Sequence, residues 1–138
     1  MIVYLDTSTV LRVLLRQPHS LGVWNTWERA YASELLGVEA RRTIDRFRLE
    51  GIFDDAGVVT AQQALARVEG TLVRVRLTRT VLQRAGQPMG VVVKTLDAIH
   101  LASALLLRER HGIELLFATH DRQQAAAAQA IGFECIGV

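Results

Sequence analysis

The sequence predicts an α/β fold, a mostly parallel sheet covered by helices. Two observations carry this. Short apolar runs rich in strand formers alternate with helical patterns along the whole 138 residues. No repeat, linker or low-complexity tract interrupts the alternation, so all of 1–138 reads as a single domain. The chain is long enough to bury a real core. Half of it is apolar and 22% is charged, a balance that excludes disorder.

The elements follow in order. Ile2-Val3-Tyr4-Leu5 reads as a strand, and Asp6, Thr7 or Ser8 can cap the helix that continues through Val10–Leu15. Gln17-Pro18-His19-Ser20 breaks that helix. Residues 21–31 read as a helix with Trp24, Trp27 and Tyr31 packed on one side, followed by a very short strand within 32–36. Residues 37–50 and 58–69 read as helices, separated by a turn at Asp54-Asp55-Ala56-Gly57. Leu72–Leu77 alternates apolar and charged residues, as a half-exposed strand does. A short helix ends near Gly86, a long one covers 95–109, and Glu114–Ala118 reads as a buried strand. An Ala-rich helix over 122–131 stops at Gly132, and Phe133–Ile136 makes a last strand.

Composition excludes several classes. The single cysteine, Cys135, leaves no disulfide framework and no multi-thiolate zinc site, and suits a reducing cytosol. The start has no basic segment ahead of its apolar run, so it is not a signal peptide. No apolar stretch approaches the ~20 residues that a membrane helix needs. Net charge is only +2, but Lys94 is the one lysine among 16 basic residues. Arginine suits bidentate phosphate contacts, but a GC-rich coding sequence is the plainer reading of the bias.

Four acids stand apart by context. Asp6 ends the first strand, Glu39 lies near a helix start, Asp97 opens the 95–109 helix, and Asp121 follows the fourth strand. In a parallel sheet the strand ends lie along one edge, so residues this far apart in sequence converge there. Capping alone accounts for Glu39 or Asp121 taken singly. Asp97, flanked by Leu96, Ala98 and Ile99, is either a partly buried paired acid or a metal ligand. Four carboxylates in one small space repel unless a cation joins them, and a hard-oxygen set suits Mg²⁺ or Mn²⁺. Ser8 and Thr119 each lie two residues from one of these acids, placed to orient a carboxylate or a bound water. Arg41 and Arg42 follow Glu39 and are candidates for meeting phosphate, against a solvated helix face as the plain alternative. His100 reads as a packed, hydrogen-bonded histidine, and His120 as a solvent-facing one.

These blocks together resemble the PIN-domain nucleases, most closely the toxin ribonucleases of VapBC-type toxin–antitoxin pairs. The resemblance rests on Val3–Ser8, on Ser33–Arg42 with Glu39 at the acid position, on Leu96–Ala104 around Asp97, and on Ala118-Thr119-His120-Asp121 with Ala128 and Gly132 beyond. It implies a three-layer α/β/α fold with a five-stranded sheet, and Mg²⁺- or Mn²⁺-dependent cleavage of RNA by Asp6, Glu39, Asp97 and Asp121. It also implies a homodimer and an antitoxin partner. Residues 51–94 carry no motif. Competing folds fit poorly. A receiver domain needs an acid pair after its first strand, a haloacid-dehalogenase-type phosphatase needs Asp at position 8, and Thr7-Ser8 stands there. DNA cleavage and a catalytically silent PIN-like binding module remain as alternatives.

Overall fold

The computed structural model describes residues 1–138. Its elements are β1 (Ile2–Leu5), α1 (Thr7–Leu14), β2 (Arg29–Ser33), α2 (Leu35–Leu49), α3 (Asp55–Thr71), β3 (Val73–Val75), α4 (Arg79–Ala85), α5 (Thr95–His111), β4 (Leu116–Ala118), α6 (Arg122–Ala130) and β5 (Cys135–Ile136). The five strands form one sheet in the order β3-β2-β1-β4-β5. Every pairing is parallel, with Val3 beside Ala30 on one side and beside Leu116 on the other. The expected five-stranded α/β architecture is therefore present.

Successive side chains of β1 point to opposite faces and build two cores. Val3 and Leu5 pack with Val10, Leu36, Ile44 and Leu65 from α1, α2 and α3. Tyr4 packs with Leu101, Leu105 and Phe117, and its ring stacks on Phe117 at 5.4 Å. Ile44 is 1% exposed and is the largest fully buried side chain of α2. Ile44→Val is expected to cost about 1 kcal/mol of stability, measurable by urea denaturation, because one buried methyl is lost.

Several expected boundaries differ. Residues 21–28 are turns rather than helix, and Tyr31 lies in β2, which runs over 29–33 rather than within 32–36. Trp24 and Trp27 still meet, edge to face at 5.1 Å, but across a turn. The Trp and Tyr spacing imitates a helical face. Tertiary context overrides it, because β2 lies inside the sheet between β1 and β3 and four of its five residues are buried. The strand expected over 72–77 covers only Val73–Val75, and the helix expected over 58–69 starts earlier, where the Asp54 side chain caps it through Gly57 N–H at 2.8 Å. β4 and β5 are also shorter than expected, at three and two residues. α5 ends at Gly112, whose φ of 60° places it in the left-handed region that glycine enters without strain. No helix is long and apolar enough to cross a membrane.

Candidate active site

The chain fills β1, β2 and β3 in one direction, then crosses to β4 and β5 on the other side of β1. The strand order therefore reverses between β1 and β4. At such a switch point the connections diverge to opposite faces and open a crevice at the carboxyl ends of the strands. Asp6 ends β1 at this point, and Thr119-His120-Asp121 ends β4. Asp6 N–H donates to the Ala118 carbonyl at 2.9 Å, so the two strand ends are tied directly.

Asp6 is 5% exposed and caps α1, its Oδ2 accepting from Ser8 N–H at 3.0 Å. Its Oδ1 accepts from Gln124 Nε2 at 3.0 Å. Asp121 caps α6, with Oδ1 accepting from the backbone N–H of Gln123 and Gln124. Both acids thus do the capping that their positions predict, and each still has lone pairs to offer. Glu39 lies two residues deeper in α2 than the expected helix start would put it. Its Oε1 accepts from Thr7 Oγ1 at 2.8 Å and meets His100 Nε2 at 2.6 Å. Asp97 stands in the first turn of α5 and is half-buried.

The charges of Asp6, Asp121 and Glu39 all reach Asp97. Burial, then the charges of Asp6 and Asp121, and last that of Glu39, push the Asp97 carboxyl up to about 6, partly offset by His100. Burial alone would lower the His100 pKa. The Glu39 hydrogen bond and the charges of Asp6, Glu39 and Asp97 outweigh it, so the imidazole is held above its ordinary range. An imidazolium donates from both nitrogens. That matches Glu39 at Nε2 and Tyr4 Oη at 3.0 Å from Nδ1. Tyr4 remains a neutral phenol, because burial and then the Asp6 charge raise its pKa. His100, fully buried, thus sits among carboxylates that favour its protonated form, 3.7 Å from Asp6 Oδ1. The expectation of a packed, hydrogen-bonded histidine is met.

Ser8 and Thr119 stand between the acids. Ser8 Oγ accepts from His120 N–H at 3.1 Å and lies 3.4 Å from Thr119 Oγ1. Thr119 Oγ1 donates to Gln124 Oε1 at 2.7 Å and accepts from Asp121 N–H at 3.0 Å. His120 does not face solvent. It is half-buried, and its Nδ1 lies 2.7 Å from the Gly137 carbonyl, holding the end of β5 against the site. Gly137 has φ 102°, and a Cβ there would collide with the Thr119 carbonyl, so the backbone approach demands glycine.

The two arginines differ. Arg41 makes a bidentate pair with Glu69 at 2.7 and 3.1 Å and also donates to the Gly37 carbonyl. Arg42 is exposed and engages no carboxylate. Sequence reasoning missed Gln124, which is fully buried, and gave Thr7 no part in the site. Gln124 sits in an Ala-rich helix beside an exposed Gln123 and carries no signal of its own.

A hard divalent cation fits this donor set by chemistry: four carboxylates from four elements, with hydroxyls and an amide around them. No group of three His, Cys, Asp or Glu side chains stands in ligating geometry. One reason is visible, because Glu39 is turned onto His100.

The chain matches the PIN domain family over residues 3–130. It belongs to the PIN-domain family. This PIN domain is 30% identical over 135 residues to Ribonuclease VapC46 of Mycobacterium tuberculosis, covering 97% of this chain and 95% of that one. Its fold is that of VapBC2 from Rickettsia felis, solved with a promoter DNA fragment, at TM-score 0.69 and 12% identity, covering 99% and 98% of the two chains. It also matches FitAcB from Neisseria gonorrhoeae at TM-score 0.67 and 18% identity, covering 99% and 96%. A third likeness is VapC20 of Mycobacterium tuberculosis, described as a sarcin-ricin loop cleaving toxin, at TM-score 0.63 and 17% identity, covering 99% and 98%.

Proposed function

We propose that this PIN domain is a divalent-cation-dependent endoribonuclease of the cytosol, the toxin of a toxin–antitoxin pair. The observation that carries the reading is the gathering of four carboxylates at the switch point, where burial first and the charges of the neighbouring acids second push the Asp97 carboxyl up to about 6. A fold gains nothing from such repulsion, so the arrangement makes sense as a cation site. The relative named as a ribonuclease, and the VapC20 toxin that shares the fold, support RNA as the substrate. The VapBC2 and FitAcB likenesses support a protein antitoxin as partner, and we include a homodimer in the proposal.

Asp6, Glu39, Asp97 and Asp121 would hold Mg²⁺ or Mn²⁺. A bound cation supplies an activated water and stabilises the charge on the leaving oxygen of the phosphodiester. The chain's own residues set the stage for that chemistry. Ser8 N–H and Gln124 Nε2 hold the Asp6 carboxyl group in place. Thr7 and His100 fix the Glu39 carboxyl at the edge of the site. Ser8 and Thr119 link the ends of β1 and β4. Arg42 is free to meet a substrate phosphate, whereas Arg41 must first leave Glu69.

The test is cleavage of structured RNAs and single-stranded DNA with Mg²⁺, Mn²⁺ or EDTA. Wild type is expected to cut RNA with either cation. Asp6→Asn is expected to fold normally and fall to the EDTA background. Full activity in a folded Asp6→Asn protein would overturn the assignment. A second reading is a silent binding module, favoured by the absence of a preformed ligating triad. It predicts no cleavage and no cation binding in wild type.

A further inference from the structure

Gln124 is 0% exposed, an unusual place for a side-chain amide unless its polar atoms are satisfied. They are, by two groups of the candidate site. Its Nε2 donates to Asp6 Oδ1 at 3.0 Å, and its Oε1 accepts from Thr119 Oγ1 at 2.7 Å.

The direction of each hydrogen bond is forced. An ionised carboxylate can only accept, so the amide nitrogen must face Asp6. The amide oxygen then faces Thr119, which must donate its one hydroxyl proton. Thr119 Oγ1 is left as an acceptor, and Asp121 N–H donates to it at 3.0 Å. Ser8 Oγ, 3.4 Å from Thr119 Oγ1, accepts from His120 N–H. A single chain of dipoles thus runs from Asp6 through Gln124 and Thr119 to the backbone of Asp121. Flipping the amide would aim its oxygen at the Asp6 carboxylate and its NH₂ at the Thr119 hydroxyl.

Resting on the nuclease reading above, we propose that Gln124 is a positioning residue that fixes the Asp6 carboxylate and, through Thr119, sets its alignment with Asp121 for binding a divalent cation. The amide does not touch substrate. It acts by holding one acid at the end of β1 and referring it to another at the end of β4. Outer hydrogen bonds of this kind orient ligating carboxylates, and their loss typically costs about 10–100-fold in metal affinity.

The experiment is Mn²⁺ titration of the full chain, by calorimetry or by the paramagnetic resonance of free Mn²⁺, with melting of the EDTA-treated protein in parallel. Gln124→Met keeps the volume and removes both hydrogen bonds. It is expected to fold and to bind Mn²⁺ about 10–100-fold more weakly. RNA cleavage should recover toward the wild-type rate as Mn²⁺ is raised. A folded Gln124→Met protein with wild-type Mn²⁺ affinity would overturn the proposal and leave Gln124 as an anchor of α6. If Gln124→Met does not fold, Thr119→Val decides by the same criterion, because it is isosteric and removes the hydroxyl that orients the amide. Asp6→Asn separates the two levels of inference. If it binds Mn²⁺ like wild type, the cation-site reading itself fails. If it loses Mn²⁺ while Gln124→Met does not, only the positioning role fails.

Discussion

Asp97→Asn is expected to stabilise the metal-free protein at pH 7 while reducing RNA cleavage to the EDTA background. The two effects have one cause. The Asp97 carboxyl is raised from 3.8 to about 6 by burial and by Asp6 and Asp121. A carboxyl with a raised folded-state pKa favours the fold while it is protonated. That contribution is complete below 3.8 and is lost as pH rises through about 6. Asparagine keeps the shape without the charge. The melting temperature of Asp97→Asn in EDTA should therefore exceed that of wild type at pH 7 and differ little from it at pH 4. His100 shifts the same way, since its raised pKa gives stability that fades as pH climbs past it. Subtracting wild type from variant at each pH removes that shared background to first order. Millimolar Mg²⁺ or Mn²⁺ should raise the wild-type melting temperature at pH 7 by mass action and should do much less for Asp97→Asn. A variant no more stable than wild type at pH 7 would mean that the acids are not crowded.

The largest loss of stability is expected at His100. Replacing it with Leu removes the imidazole that bonds Glu39 at Nε2 and the Tyr4 hydroxyl at Nδ1. Removing one member of a buried ion pair costs about 3–5 kcal/mol, and the partial exposure of Glu39 puts this case at the low end, near 3 kcal/mol. Urea denaturation of His100→Leu against wild type measures it. Tyr4→Phe is the graded control. It deletes one hydroxyl and should cost about 1 kcal/mol. A loss below that value in His100→Leu would show that the histidine is neutral and incidental. Activity should fall as well, since Glu39 loses the group that holds it at the site.

The parts of this structure visible in the sequence are those where a local pattern and the tertiary environment agree. Asp6 was legible because it ends a strand whose next residues begin a helix, and Asp121 for the same reason at β4. The parallel sheet followed from the alternation of elements. The first part of β2 was not legible, since Arg29-Ala30-Tyr31-Ala32-Ser33 lacks β-branched residues and is a strand because its neighbours on both sides are strands. Gln124 was invisible for a related reason. Its importance comes from a carboxylate 118 residues away, and no local window contains both. His120 misled because a lone histidine near a strand end usually faces water, whereas here the Gly137 carbonyl at the end of β5 turns back to meet it.

The switch-point topology also fixes when the site can exist during synthesis. Asp6 leaves the ribosome long before the strand that aligns it, β4, which pairs with β1 through Val3–Leu116, Tyr4–Phe117 and Leu5–Ala118. Until that segment emerges, β1 has no neighbour on one side and Asp121 has not been made. A nascent chain that has folded β1, β2 and β3 carries two of its four acids and no crevice. For a protein whose proposed substrate is RNA, this order of assembly keeps the growing polypeptide inert beside the message and ribosome that are producing it.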